Sequence, residues 1–291
     1  TGVKGVAITE QGKSLTSFDI PTSNFDDNPI ENLVNHVKKI IDTDYPLFSI
    51  GIGASGPVNL KTRLINNPDT LPSFTGIDLV GSLSAVFNVP VSIDNDAIAA
   101  AYAEYQWTFD RKVESLVMVT LGTGIGVAGL RNGQPVRNLK GEHPESGHTP
   151  IPGINHPCYC GIDNCWEQAA SRKGLEKLQE IYGHNNPLVW REYAKFLSDG
   201  LFTIINGLDP EVIVIGGSIS QYWNGHGTAF RHKRTGFLRR KTKTWIGSYD
   251  VGYSCDTKDE ALFVLDALEP FIDCEDVNIR LSARLALTEE E

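Results

Sequence analysis

Apolar residues in this chain follow two periods that alternate along its length. Runs rich in β-branched residues predict strands, and apolar residues spaced three and four apart predict helices. The predicted strands are Val3–Thr9, Ser14–Ile20, Phe48–Ala54, Val91–Asp94, Ser115–Leu121 and Glu211–Ile215, with a hairpin over Val127–Val136. The predicted helices are Ile30–Ile41, Leu79–Phe87, Ala97–Tyr105, Trp166–Tyr182 and Leu188–Ile205. Strands that alternate with helices indicate an α/β fold.

One short segment occurs twice. The sequence from Thr1 to Ala7 matches Thr123–Ala128 at five residues after a single gap, and both copies run into a hairpin signal, Gln11-Gly12 or Asn132-Gly133. The pattern predicts two similar halves that each begin with strand, glycine-rich turn and strand. The second copy follows a strand and the first does not, so the amino end is expected to be truncated. Chance similarity between glycine-rich turns is the alternative.

Composition and charge narrow the classes of function. The 291 residues include 26 Lys+Arg against 36 Asp+Glu, which gives a net charge of -10. A broad nucleic-acid surface needs clustered positive charge, so no nucleic-acid partner is expected. The longest apolar run, Leu116–Leu130, is short and rich in glycine, so no membrane span is expected, and no signal peptide is expected either. A cytoplasmic protein without a membrane partner is therefore expected.

The spacing of three cysteines and one histidine indicates a metal site. His148 is followed by Cys158, Cys160 and Cys165 in the pattern H-x9-C-x-C-x4-C. Three thiolates and one imidazole complete a closed tetrahedral zinc site, which orders a loop and performs no Lewis-acid chemistry. Free or redox-active thiols are the alternative. The distant Cys255 and Cys274 are expected to be small buried residues.

Carboxylates flank this cluster. Glu145 precedes His148 by three residues, and Glu167 follows Cys165 by two. Carboxylates fixed beside an ordered loop suit hydrogen bonding to several hydroxyl groups, because each accepts from more than one donor. Ordinary surface glutamates are the alternative.

Two glycine-rich turns follow predicted strands. Gly122-Thr123-Gly124 exposes backbone N–H groups that can face a phosphate, and Gly216-Gly217 offers a second close approach to the backbone. The first turn is not a dinucleotide fingerprint, since the required third glycine is replaced by Val127 and a hairpin follows instead of a helix. A plain strand-to-helix turn remains the alternative for the second.

Acidic residues end one strand and begin the next helix. Asp94-Asn95-Asp96 follows a buried strand, where a single side chain suffices to cap the helix. Catalytic bases also lie at the carboxyl ends of strands in α/β sheets. One of the two aspartates is therefore not needed for capping and is available for another role.

Together these motifs resemble the ROK family of sugar kinases and sugar-responsive repressors, which has the actin-like (ribonuclease H-like) ATPase fold. The matching segments are Ile52–Asn59, Asn95–Glu104, Leu121–Gly126, Glu145–His148 and Cys158–Glu167. The resemblance implies two duplicated α/β domains with a cleft between them, residues 1–112 and 113–291, the second with the zinc-binding loop and a last helix that packs back on the first. It also implies a homo-oligomer, a dimer or tetramer.

The resemblance also implies roles for individual residues. Asp96 is similar to the family's general base. The implied sugar ligands are Gly56, Asn95, Asp96, Glu145, His148 and Glu167, and the implied zinc ligands are His148, Cys158, Cys160 and Cys165. The implied ATP-binding residues are Thr1, Gly2, Lys4, Gly122, Thr123, Gly124, Gly216 and Gly217.

The function implied by this resemblance is an ATP- and Mg²⁺-dependent kinase that phosphorylates a hexose or N-acylhexosamine at its 6-hydroxyl. A non-catalytic sugar sensor or repressor core is the alternative, and a zinc-stabilised structural module is a third. Beyond Ile219 the resemblance fades, with a basic stretch at Arg231–Lys243. The sequence does not identify the sugar.

Overall fold

The computed structural model describes residues 2–10, 12–41, 46–139, 141–184 and 186–219, together with the backbone of a short strand at Trp245–Ile246. Thr1, Cys255, Cys274, the basic stretch and the predicted last helix lie outside the described residues. The strands are β1 (Gly2–Ile8), β2 (Ser14–Pro21), β3 (Ile50–Ala54), β4 (Val58–Asn59), β5 (Leu64–Ile65), β6 (Val91–Asn95), β7 (Ser115–Leu121), β8 (Ile125–Arg131), β9 (Gln134–Pro135), β10 (Val212–Gly216) and β11 (Trp245–Ile246). The helices are α1 (Pro29–Ile40), α2 (Leu79–Phe87), α3 (Asp96–Ala103), α4 (Trp166–Ala170), α5 (Arg172–Tyr182) and α6 (Pro187–Leu208).

The chain divides into two compact units. The first contains residues 1–100 together with Arg137–His143, and the second contains Ala101–Val136 and the chain from Pro144 onward. The segment Arg137–His143 therefore belongs to the first unit although it follows a hairpin of the second.

The first unit contains two main strand pairs and the helices α1 and α2. β1 and β2 are antiparallel, and β3 and β6 are parallel in register from Ile50 opposite Val91 to Ala54 opposite Asn95. The core is formed where the apolar faces of α1 and α2 meet side chains of the strands and loops. Its buried members include Phe25, Leu33, Val34, Phe74, Leu79, Val80, Leu83 and Ile93.

The second unit is built on a five-stranded mixed sheet with the order β11-β10-β7-β8-β9. β7 lies between antiparallel β8 and parallel β10, and its buried Val117, Val119 and Leu121 contribute to the main core. The long helix α6 and the short helix α4 pack together in that core. Gly200 on α6 has no Cβ, which lets the helix approach the Trp166 ring, because a Cβ there would lie 2.0 Å from a ring carbon.

The two units share an order of strand pairs. An antiparallel pair followed by a parallel pair occurs as β1–β2 and β3–β6 in the first unit and as β8–β9 and β10–β11 in the second. In the second unit β7 joins the two pairs into one sheet. Among the described residues of the first unit no strand takes the corresponding position, so its two pairs form separate sheets.

The predicted single helix Trp166–Tyr182 is wrong, because the structure divides it at Ser171. That residue is extended, with φ −80° and ψ 177°, and it separates α4 from α5. The break lets the backbone N–H of Arg172 donate to the carbonyl oxygen of Gly122 at 2.8 Å. A contact between distant parts of the chain therefore outweighs the local helical periodicity.

The other predicted elements agree with the structure to within a few residues. The predicted helix over Ala97–Tyr105 begins at Asp96 and ends at Ala103, and a single wider turn over Glu104–Thr108 follows it. In the described part of the chain, no helix combines the length and apolar character that a membrane span requires.

Replacing Leu83 with alanine tests the first core. Leu83 is 1% exposed, and its truncation leaves a cavity, so Leu83→Ala is expected to lower the free energy of unfolding by about 2–5 kcal/mol. Val86 lies on the same helix but is 48% exposed, so Val86→Ala should cost less than about 1 kcal/mol. Urea unfolding of both variants measures the difference, and equal losses would contradict this packing.

Candidate functional site

Asn95 at the end of β6 caps the following helix. Its side chain is 4% exposed, and its Oδ1 accepts from the backbone N–H groups of Ala97 at 2.9 Å and Ile98 at 3.4 Å. Its Nδ2 donates to the carbonyl oxygen of Gly56 at 3.3 Å. Asn95 therefore begins α3 and connects it to the loop that follows β3.

Asp96 stands beside this cap with its carboxylate exposed. One oxygen accepts from the backbone N–H of Ala97 at 2.9 Å, and no other described residue forms a hydrogen bond with the carboxylate. Because Asn95 already supplies the cap, the second oxygen of Asp96 is available to accept a proton. The structure thus resolves which of the neighbouring polar residues performs the capping role.

Arg137, which sequence reasoning missed, binds Asp94, the first residue of the Asp94-Asn95-Asp96 triplet. Its guanidinium forms an ion pair of 2.5 Å with Asp94, and the two side chains are only 17% and 24% exposed. The other Asp94 oxygen accepts from the backbone N–H of Asn95 at 2.8 Å, and Arg137 also donates to the carbonyl of Gly141 at 3.1 Å. The ion pair therefore fixes the backbone just before Asp96.

Gly56 occupies a conformation that favours glycine. Its φ is +88°, and a Cβ would lie 2.4 Å from Nδ2 of Asn67. That amide donates to the carbonyl of Ser55 at 3.0 Å and closes the loop. The geometry places the Gly56 carbonyl where Asn95 binds it.

The second unit brings the predicted metal ligands together. Two segments of the loop pair, with the N–H of Ile151 donating to Asn164 at 2.8 Å and the N–H of Trp166 donating to Thr149 at 2.8 Å. This pairing sets His148 beside Cys165. The side chain of Asn164 returns a hydrogen bond to the carbonyl of Ile151 at 3.1 Å and reinforces the contact.

The four donor atoms lie close enough together to share one metal ion. Those of His148, Cys158, Cys160 and Cys165 all lie within 4.8 Å of one another. Nδ1 of His148 is 3.3 Å from the sulfur of Cys165 and 3.6 Å from that of Cys158. Ordinary zinc bond lengths at a tetrahedral angle give nitrogen–sulfur separations of about 3.5 Å. The donor set therefore fits a zinc ion.

The thiols differ in their acidity. Burial raises the pKa of Cys165 to about 12. Burial also acts to raise the pKa of Cys158, but hydrogen bonds from Cys160 and Gln168 reverse that effect and lower the pKa overall. A cation that binds here must therefore displace a proton from Cys165, as is general for thiolate ligands.

Glu167 connects this loop to the first glycine turn. Its side chain is 9% exposed, and Oε2 accepts from the backbone N–H of Ile125 at 3.0 Å. A Cβ on residue 124 would lie 2.5 Å from that oxygen, so a side chain at this position would displace the Glu167 carboxylate. Oε2 also lies 4.0 Å from Nε2 of His148.

The ring of His148 thus presents two different edges. Nδ1 faces the sulfurs, whereas Nε2 lies 2.9 Å from the Tyr159 hydroxyl. Glu145 lies directly before the turn Ser146–His148, and its carbonyl accepts from the N–H of His148 at 3.0 Å. Sequence reasoning did not anticipate Tyr159, whose contact depends on how the loop folds.

The two predicted phosphate turns lie side by side. Gly217 has a φ of +93°, and a Cβ there would lie 2.3 Å from the carbonyl oxygen of Leu121. The turn after β10 therefore packs on the backbone that leads into Gly122–Gly124. Thr123 is exposed.

The predicted nucleotide residues of the first unit lie on β1. Gly2 packs closely on the backbone of Ile20, and Lys4 forms an exposed ion pair of 2.9 Å with Asp19. The functional role of these residues remains a prediction.

The amino-acid sequence of the chain matches a known protein family. The profile of the ROK family matches residues 1–245, which is most of the chain. The chain belongs to the ROK family. The match extends past Ile219 and ends at residue 245, so the rest of the chain lies outside it.

Named relatives include both regulators and enzymes. The chain is 27% identical over 235 residues to the xylose repressor of Bacillus subtilis, which covers 75% of this chain and 60% of the repressor. It is 26% identical over 259 residues to a glucokinase of Halalkalibacterium halodurans, which covers 76% of this chain and 78% of the glucokinase. The chain therefore spans less than two thirds of the repressor's length.

Among solved structures, a ROK family glucokinase from Streptomyces griseus, crystallised with glucose and AMPPNP, superposes with a TM-score of 0.68 at 22% identity. The match covers 84% of this chain and 91% of the glucokinase. The similarity confirms the predicted α/β fold of the actin-like class.

Arg137→Met tests whether the ion pair with Asp94 stabilises the carboxyl end of β6. The substitution leaves Asp94 half-buried without its cation, so the free energy of unfolding should fall by about 1–3 kcal/mol. The matched control is Lys4→Met, which breaks an exposed ion pair of the same unit and should cost less than about 1 kcal/mol. Urea unfolding compares the two, and equal effects would show that Arg137 does not stabilise this strand end.

Proposed function

We propose that this chain is an ATP-dependent sugar kinase, with Asp96 as the general base. The observation that carries the proposal is that two neighbouring residues at the end of β6, Asn95 and Asp96, have different hydrogen-bonding roles. Asn95 satisfies the helix N-terminus, and Asp96 keeps one carboxylate oxygen without a hydrogen-bond partner among the described residues. A carboxylate in this position can take a proton from a substrate hydroxyl.

The proposed substrate is a hexose or N-acylhexosamine, phosphorylated at the 6-hydroxyl. Family resemblance assigns its contacts to Gly56, Asn95, Asp96, Glu145, His148 and Glu167. The chemistry of these groups supports the assignment, because amide, carboxylate and imidazole groups exchange several hydrogen bonds with hydroxyls. The Nε2 edge of His148 faces away from the sulfurs and lies 2.9 Å from the Tyr159 hydroxyl, so a sugar hydroxyl that binds Nε2 would take the place of Tyr159 there.

The proposed reaction is a direct phosphoryl transfer. Asp96 accepts the proton of the sugar hydroxyl while that oxygen attacks the γ-phosphorus of ATP, and ADP leaves with the electron pair of the broken bond. Mg²⁺, when bound with ATP, neutralises charge on the phosphates. The transition state is loose, so the protein contributes mainly by positioning and by electrostatic stabilisation.

We assign the glycine turns Gly122–Gly124 and Gly216–Gly217, with Thr1, Gly2 and Lys4, to binding of the nucleotide. The close packing of Gly217 on Leu121 supports a joint role for the first two turns, since it presents both to the same ligand. Backbone N–H groups in such turns bind phosphate oxygens without interference from side chains.

We further propose that His148, Cys158, Cys160 and Cys165 hold one structural zinc ion. The ion would fix the loop that carries Glu145 and Glu167, and the closed ligand set gives it no role in the chemical step.

A sugar sensor without kinase activity is the second candidate, because xylose repressors are among the relatives of the chain. Such a protein needs the sugar contacts but no proton acceptor. A hexose panel that shows sugar binding without ADP release in the presence of Mg²⁺ and ATP would favour the sensor.

Asp96→Asn tests the proposed base. Loss of general-base catalysis is expected to lower turnover by about 10²- to 10⁴-fold, whereas sugar affinity stays near that of the unmodified protein. ADP release measures turnover, and titration calorimetry measures sugar binding. The control Asp69→Asn removes an exposed carboxylate of the same unit and should change neither value. Full activity in Asp96→Asn would remove this residue from the role.

Elemental analysis tests the zinc assignment. Purified protein is expected to contain one zinc ion per chain, and Cys165→Ser should lose most of it, because three remaining ligands bind zinc less tightly. Cys255→Ser removes a thiol remote in sequence from the cluster and should retain the metal. Zinc-free protein with an unchanged thermal unfolding temperature would contradict the assignment.

A further inference from the structure

Arg172 is a cation at the proposed nucleotide turns that the family motifs do not include. It is the first residue of α5, directly after the break at Ser171. Its backbone N–H donates to the carbonyl of Gly122 at 2.8 Å. The residue is therefore attached to the first glycine turn by its own main chain.

Its side chain reaches the second turn. A guanidinium nitrogen of Arg172 donates to Oγ of Ser218 at 2.5 Å, and Ser218 directly follows Gly217. Gly217 in turn packs against the backbone of Leu121, one residue before Gly122. Arg172 thus contacts both glycine turns, one through its backbone and the other through its guanidinium.

The charge of this guanidinium has no counter-ion in the described part of the chain. Its hydrogen-bond partner is a neutral hydroxyl, and the side chain is half-buried. Arg137 shows the usual solution for a largely buried cation, since it forms an ion pair with Asp94. A half-buried cation without a carboxylate favours an anionic ligand, because desolvation weakens its hydration and strengthens a charge-assisted hydrogen bond.

We propose that Arg172 binds the phosphate groups of the nucleotide. The proposal rests on the proposed kinase function and adds a binding residue to it. A guanidinium presents several N–H donors in a fixed plane, so one donor can stay on Ser218 while others meet phosphate oxygens. The backbone N–H groups of the turns and this side chain would then share one polyphosphate.

The role proposed for Arg172 could not be predicted from the local sequence pattern. The apolar periodicity of residues 166–182 predicts one continuous helix, in which Arg172 is simply a polar position among others. Only the break at Ser171 redirects its N–H toward Gly122. The length of chain between Arg172 and Ser218, 46 residues, places the second contact beyond any local pattern.

Nucleotide titrations of Arg172→Gln test the proposal. Glutamine can retain a hydrogen bond to Ser218 but carries no charge. The affinity for ATP, measured by calorimetry with a non-hydrolysable β,γ-imido analogue and Mg²⁺, is expected to fall about 10- to 100-fold, the value of a lost charged hydrogen bond. The affinity for ADP should also fall, whereas the affinity for adenosine, which has no phosphate, should stay unchanged.

Two further variants separate charge from structure. Arg172→Lys keeps the charge and should recover part of the affinity for the analogue. Lys173→Gln removes the neighbouring exposed cation of the same helix and should bind like the unmodified protein. Raising the salt concentration should weaken binding to the unmodified protein more than binding to Arg172→Gln, because the screened charge is absent there.

The outcomes distinguish this inference from the proposed function. Equal affinity of Arg172→Gln and unmodified protein for the ATP analogue would overturn the role of Arg172 and leave the kinase proposal standing. Equal losses for the analogue and adenosine would reveal a structural role and also overturn it. If the unmodified protein binds no ATP analogue, the kinase proposal fails together with this inference.

Discussion

The hydrogen bond from the Ile125 backbone to the buried carboxylate of Glu167 connects the loop that carries the cysteine cluster to the glycine turn between β7 and β8. A carboxylate that is 9% exposed is stable only with donors to its oxygens, and the N–H at the start of β8 is one of them. Glu167 follows Cys165 by two residues, so its position depends directly on the loop that carries His148 and the three cysteines. The glycine turn and the loop of the cysteine cluster cannot shift independently without breaking this hydrogen bond to the Glu167 carboxylate.

The contact between Ile125 and Glu167 joins residues far apart in sequence, and contacts of this kind separate the features that the sequence predicted from those that it did not. Strands rich in β-branched residues and helices with regular apolar spacing could be located from local sequence, as for β7 and α2. The glycines of the turn were recognisable as a motif, but the reason for Gly124 lies in Glu167, which is 43 residues away. The break at Ser171 was missed for the same reason, because the partner of the Arg172 N–H is Gly122. Contacts between residues far apart in sequence decide these details, and periodicity carries no information about them.

The end of β6 shows how a binding site and a catalytic site can differ by one group. Asn95 joins the loop of Gly56 to the start of α3, and Arg137 fixes Asp94 on the other side. Either arrangement would serve a protein that only recognises a sugar. The exposed carboxylate of Asp96 adds a proton acceptor that recognition alone does not need. Under the proposed function, the carboxylate that would make this site catalytic therefore belongs to a residue that contributes little to the stability of the strand end.

Local charge matters more than net charge for binding the proposed nucleotide. The protein carries a net charge of -10, which at long range repels a polyphosphate. At contact distance the balance is different, because a polyphosphate at the glycine turns would meet backbone N–H groups and the guanidinium held by Ser218. Salt in the cell screens the distant carboxylates within about 8 Å, whereas a half-buried contact is screened much less. An acidic protein can therefore bind a strongly acidic ligand, provided that its few cations are fixed where the phosphates lie.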